Sequence, residues 1–200
     1  MKSIFLSASI PVAGKGRGDF YKSADIYLIK QAVREFLIVC LGRRHIVWGG
    51  HPAITPIFWA VCQDLGVNYS HAVTLYQTKF FEDVFPEENR HFSNVVFTKI
   101  VNGDRQGSLS LMRHAMLSRD DLYAAVFIGG MQGINDEYSL FKHYHPRATI
   151  LPIATPGGAA KDLAVKINVD NDILNEFNYF RLYHSKLNID VNEKRILGTK

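Results

Sequence analysis

Cysteine is scarce in this chain: Cys40 and Cys62 are the only two in 200 residues. Neither belongs to a Cys-x-x-Cys pair or a zinc-ligand spacing, which argues against a disulfide framework or a cysteine metal centre. Both are flanked by apolar neighbours and are expected to pack as small hydrophobes. Long hydrophobic runs are missing as well. A stretch such as Phe36 to Leu41 falls far short of the ~20 apolar residues a membrane span needs. Ser7, Ser9 and Pro11 break the apolar start at Ile4-Phe5-Leu6 too soon for a signal peptide. The expectation is a cytoplasmic protein with no membrane partner. Charge is not concentrated either: 23 Lys and Arg against 19 Asp and Glu give a net charge of +4, scattered without a basic helix or an aromatic-basic repeat. That favours a small phosphorylated ligand and makes a nucleic acid partner the poorer fit.

What is present is an ordinary globular composition, 47% hydrophobic and 12% aromatic, at a length that suits one domain. Strand-like runs at Ile4 to Ser9, His45 to Trp48, Ala72 to Tyr76, Val95 to Ile100, Tyr123 to Ile128 and Thr149 to Ile153 alternate with helical ones. Most are continuously apolar, the pattern of strands covered on both faces in a parallel sheet. The first helix carries Ile26, Ile29, Val33, Phe36, Leu37 and Cys40 at helical spacing, with Ser23 as the expected N-cap and Gly42 as the stop. Others are expected over Ala53 to Leu65, Ser108 to Leu117, Ile134 to Tyr144 and Ala159 to Val165. The order predicts an α/β fold: a Rossmann-like, doubly wound, mostly parallel sheet of about six strands with helices on both faces. The core spans about residues 3–165. A final helix is expected within 170–187, with Ile173, Leu174, Phe177 and Phe180 on one face, then a charged tail to Lys200. The segment from Gln77 to Asn94 interrupts the rhythm; its Phe80, Phe81 and Phe85 read first as core plugs, second as a lid.

Three strand-like runs end on glycine pairs: Gly49-Gly50, Gly129-Gly130 and, after Pro156, Gly157-Gly158. Glycine allows left-handed backbone and close approach of a ligand, and a helix starting just beyond offers free N–H groups and a positive dipole end. Repetition of the motif suggests one pocket with several backbone walls. Ligands in such sheets lie beyond the carboxyl ends of the strands. After the first strand come Ser7, Ser9 and the loop Gly14-Lys15-Gly16-Arg17-Gly18, in which Lys15 and Arg17 suit a phosphate; a solvated surface loop is the alternative, and the pattern is no Walker A loop. After the second come His51, which can touch a ligand or merely satisfy a carbonyl, and Thr55, whose hydroxyl near a helix start can hold an anion. Arg113 shares a helix face with Leu109, Met112 and Met116, which sets its guanidinium near the sheet. Glu137 lies on the face of Ile134, Tyr138 and Phe141, one turn inside the helix opened by Gly129-Gly130-Met131-Gln132-Gly133. There it can bind ribose hydroxyls, act as acid or base, or stabilise the helix start. His143 and His145 have no third ligand in view, so no metal site is expected.

In Ile46 to Thr55, Arg113-His114-Ala115-Met116, Gly129 to Glu137 and Leu151 to Ala160, the chain resembles the SLOG superfamily, named for the Smf/DprA proteins and the Lonely Guy enzymes. The resemblance implies a Rossmann-like fold binding nucleotides or their derivatives at the glycine loops, commonly as a dimer, with no separate cofactor. Lonely Guy enzymes are phosphoribohydrolases with a Pro-Gly-Gly-x-Gly-Thr-x-x-Glu motif and an upstream arginine; by similarity Arg113 and Glu137 would be the catalytic pair. This chain departs from that motif at Ile128, at the extra Gln132 and at Ile134 in place of threonine. The Gly-Gly-Met-Gln-Gly variant looks closer to SLOG domains of antiphage systems and TRPM channels, which bind ADP-ribose-like or cyclic nucleotide signals. The expected function is therefore recognition of a nucleotide-derived signal, by a homodimer acting on a separate effector protein. The alternatives are N-glycosidic hydrolysis and DNA handling of the Smf/DprA kind.

Overall fold

The structure is a computed structural model that describes residues 2–14, 18–65 and 69–196. Six strands form one all-parallel sheet: β1 (Ser3–Ser9), β2 (His45–Trp48), β3 (Val73–Thr78), β4 (Asn94–Thr98), β5 (Leu122–Gly129) and β6 (Thr149–Ile153), in the spatial order β4-β3-β2-β1-β5-β6. The chain winds outward from β1 to β4, then crosses back to place β5 on the other side of β1. The expected Rossmann-like α/β fold is the observed one.

The apolar runs are explained by burial on both faces. Ile4 and Leu6 of β1 join Ile46, Trp48, Val126 and Ile128 in one cluster, while Phe5 joins Val47, Ala125 and Phe127 in the other. The first face is covered by α2 (Ile26–Cys40) and α3 (Thr55–Asp64), preceded by a single turn, α1 (Phe20–Ser23). The second is covered by α4 (Arg105–Leu117), α5 (Gly133–Tyr144) and α6 (Ala159–Lys166). Trp48 stacks on Phe58 of α3 with ring centroids 4.2 Å apart. Both thiols are buried, Cys40 on α2 and Cys62 on α3.

Three local expectations are corrected. Asp25, not Ser23, caps α2: its Oδ1 accepts the Leu28 N–H at 3.0 Å, whereas the Ser23 hydroxyl donates to the Phe20 carbonyl and receives the Gly158 N–H. The final helix is two, α7 (Asn171–Leu174) and α8 (Tyr179–Lys186), because the Asn178 side chain accepts from Arg181 N–H and starts a new helix. That break turns Tyr179, Leu182 and Tyr183 inward and leaves Phe177 and Phe180 at the surface. Between β3 and β4 the chain makes two 3-10 turns, Lys79–Val84 and Glu87–His91. Phe80, Phe81 and Phe85 are only half-buried there; the side chain from this stretch that enters the core is Phe92. The second turn rests on α3 through Trp59 stacked on His91, centroids 4.0 Å apart.

Residues beyond α8 fold back on the turn before β2. Arg44 pairs with Glu193, Arg195 donates to the Ile38 and Leu41 carbonyls, and Ile196 N–H reaches the Gly42 carbonyl at 2.8 Å. No helix among the described residues is long and apolar enough to cross a membrane.

Candidate functional site

The switch in winding direction puts β1 and β5 side by side with connections leaving in opposite directions, which opens a crevice at their carboxyl ends. A cavity of about 720 Å³ lies there, within the ~300–1,000 Å³ usual for small-molecule sites. Its floor is the end of β1, Ser7 to Ser9, and the turn Trp48 to Pro52 after β2. One wall is α4, through Arg105, Leu109, Met112, Arg113 and Met116. Another is the start of α5, Met131 to Ile134 with Asp136 and Glu137. The last is the end of β3 and the 3-10 turn after it, through Gln77, Thr78, Phe81, Val84 and Phe85.

Arg113 is 8% exposed, and burying a guanidinium demands partners. It has two: Nε donates to Glu137 Oε1 at 3.2 Å, and Nη1 to Asp136 Oδ2 at 3.1 Å. The Ser7 hydroxyl donates to the other Glu137 oxygen, Oε2, at 2.5 Å. A strand end and two helices are thus joined by one polar cluster facing the cavity. Glycine at 133 leaves room for the guanidinium, since a Cβ there would lie 2.7 Å from Arg113 Nη2. The N–H groups of Met131, Gln132 and Gly133 find no acceptor among the described residues, and the dipole of α5 adds positive potential at the same spot.

The remaining charge on the walls is Arg105. It is exposed, has no carboxylate partner among the described residues, and its guanidinium carbon lies 5.9 Å from the centre of the Phe81 ring. His51 lines the floor, with Nδ1 accepting the Ala53 N–H at 3.2 Å; burial holds its imidazole below the ordinary value, so it is neutral at neutral pH.

The predicted residues divide. Ser7, Ser9, Gly49, Gly50, His51, Arg113, Met131, Gln132, Gly133 and Glu137 all line the cavity. Thr55 does not: its buried hydroxyl donates to the His51 carbonyl at 3.0 Å, inside the turn that starts α3. Gly129, Gly130, Gly157 and Gly158 lie outside the lining, and close packing accounts for the last two. A Cβ on Gly157 would sit 1.8 Å from the Ser23 carbonyl oxygen, and one on Gly158 2.8 Å from that of Gly129. The third doublet is therefore a close crossing of main chains. Lys15 and Arg17 fall outside the described residues.

Sequence reasoning missed Asp136, Gln77 and Arg105, and it ranked core plugs ahead of a lid for the aromatics that form the outer wall. Asp136 was visible as the neighbour of Glu137. Gln77 carried a weak signal, a polar residue ending an apolar strand. Phe81 and Phe85 had none that separates a cavity wall from a core.

No curated protein matches the chain. The family model described as the SLOG cluster3 family matches residues 19–187, a span that takes in every cavity wall except the end of β1. That match points to a nucleotide-related function. With its six parallel strands and its cavity at the β1/β5 switch, the chain belongs to the SLOG cluster3 family.

Proposed function

We propose that the cavity binds a nucleotide-derived small molecule, ADP-ribose-like or a cyclic nucleotide, and that the protein senses it in a bacterial defence or signalling pathway. The observation that carries this reading is the meeting, in one cavity, of three unused N–H groups at the start of α5 with the Ser7–Glu137–Arg113 cluster. The first suit a phosphate oxygen. The second suits ribose: the Glu137 carboxylate retains lone pairs for hydroxyl donors, and Arg113 and Ser7 hold it still. The working arrangement is a homodimer that passes the signal to a separate effector protein.

A second reading, N-glycosidic hydrolysis, has one observation in its favour: Arg113 and Glu137 are in direct contact. One counts against it: Ile134, in place of the phosphate-holding threonine, is 3% exposed and packs with the core.

One experiment separates them. The protein is incubated with nucleoside monophosphates, NAD, ADP-ribose and cyclic nucleotides, then ultrafiltered, and both fractions are chromatographed. The expected result is retention of one compound unchanged, weakened by Arg105→Glu. Free base in the filtrate supports hydrolysis. If nothing is retained and nothing altered, both readings fall.

A further inference from the structure

Gln77 is 8% exposed and lines the cavity from the end of β3. Its side chain donates from Nε2 to the Gly49 carbonyl at 3.0 Å. A carbonyl only accepts, so this bond fixes which end of the carboxamide is nitrogen and leaves Oε1 as a stationary acceptor. Gly50 holds the arrangement from below: with φ 75°, a Cβ there would fall 1.8 Å from Nε2. Oε1 receives no hydrogen bond from a described residue. It is also absent from the buried atoms sealed without a partner, which are those of Asn89 and Thr98. It therefore keeps accessible surface, on a residue that lines the cavity.

Apolar groups lie on the other side of the same turn. A Cβ on Gly49 would lie 3.5 Å from Met112 Cε and 3.6 Å from Met116 Cε, so both thioethers flank the turn that Gln77 grips. Phe81 belongs to the 3-10 turn that begins directly after β3. Thioethers and an aromatic face suit a flat ring. The polar cluster of Glu137 lies at the other end, beside β1 and the helix that follows β5. From β5 to β3 the sheet runs three strand spacings, about 14 Å, so the cavity has an anionic-ligand end and a ring end.

Resting on the nucleotide reading above, we infer that Gln77 determines base specificity: its anchored Oε1 accepts a hydrogen bond from the exocyclic amino group of a base seated between the methionines and Phe81. The ligand then lies with its phosphate toward α5 and its base toward β3. An amino-bearing base, adenine or cytosine, satisfies the acceptor; a keto oxygen at the same position faces it with like polarity and leaves it unpaired.

The test is calorimetric binding of matched pairs: adenosine 5′-monophosphate against purine riboside 5′-monophosphate, which differs only by the amino group, and ADP-ribose against its hypoxanthine counterpart. The protein is expected to prefer the amino member by about tenfold. Gln77→Met, which keeps the volume and removes the acceptor, is expected to bind both members within about twofold. Binding of both members equally by the unaltered protein overturns the assignment while leaving the nucleotide reading intact. Binding of no nucleotide overturns both. Because the decisive comparison is made on the unaltered chain, poor folding of Gln77→Met would not obscure it.

Discussion

Alanine substitution at Gly157 and Gly103 separates two demands that glycine can meet. Both residues have left-handed backbone, φ 77° and 67°. A Cβ at Gly103 would meet nothing within 4 Å, whereas one at Gly157 would sit 1.8 Å from the Ser23 carbonyl oxygen. Gly103→Ala bears the left-handed penalty of ~1–2 kcal/mol, offset by ~0.4–1 kcal/mol from a more restricted unfolded chain, a net loss of about 1 kcal/mol. Gly157→Ala adds a clash that no rotamer change relieves, because the obstructing atom is main chain. Overpacking costs ~1–3 kcal/mol, which brings the total to about 3 kcal/mol. The displaced segment also matters for α2, since Asp25 N–H is held by the Pro156 carbonyl at 2.9 Å just before that helix begins. At ~2–4 °C per kcal/mol for a chain of this size, the melting temperature falls by about 3 °C for Gly103→Ala and about 9 °C for Gly157→Ala. Differential scanning calorimetry reads both. Equal shifts would refute the claim that the Ser23 carbonyl dictates glycine at 157. Nucleotide affinity of the folded Gly157→Ala protein should be unchanged; lost affinity without lost stability would return this doublet to the ligand site.

Arg113→Met strips the cation from Glu137 and Asp136 and is expected to cost about 3 kcal/mol, the low end for a broken buried pair because Asp136 is half exposed. Glu137→Gln leaves Arg113 paired with Asp136 and costs about 1 kcal/mol; urea denaturation that ranks the two the other way contradicts the cluster as described. Arg44 and its hydrogen bond hold the Glu193 carboxyl below its ordinary value. A depressed carboxyl contributes stability above its unfolded value, near 4.5, that is lost as pH falls through the folded value. Protection from hydrogen exchange at residues 193–196, taken relative to the intrinsic rate at each pH, should therefore fall below about pH 4.5, and in Glu193→Gln it should be low at every pH; protection that persists through acid in the unaltered protein contradicts it. Burial pushes the Cys62 thiol up to about 11 and Cys40 higher still. Ellman's reagent at pH 8 should find neither thiol in the native protein and both after denaturation, and rapid native labelling would contradict their burial.

The sheet was legible because the physics of a two-sided strand is written locally: Ile4, Phe5 and Leu6 are all apolar, and successive side chains go to opposite clusters. Arg113 and Glu137 were legible for the same reason, since helical spacing alone put each on an inward face. The glycine doublets were legible only as turns. Left-handed backbone is required at Gly50 in the cavity lining and at Gly157 outside it, so the letters do not separate a ligand's approach from another main chain's. Gln77 escaped, and Phe81 was read first as a core plug, because their role depends on β3 lying two strands from β1, a relation of topology. The break at Asn178 was hidden by the spacing of Ile173, Phe177 and Phe180, which mimics one continuous face. A competing signal, asparagine as an N-cap, decided the matter.

The two aromatic stacks give the protein separate optical reporters. Trp48 and Trp59 are its only tryptophans. Trp48 lines the cavity, 1% exposed against Phe58, so its emission should respond to a ring arriving beside the Gly49-Gly50 turn. Trp59 lies against His91, so its surroundings change if the second 3-10 turn leaves α3. Selective replacement of either indole by phenylalanine would let stopped-flow fluorescence time ligand entry with one and undocking of the second 3-10 turn from α3 with the other.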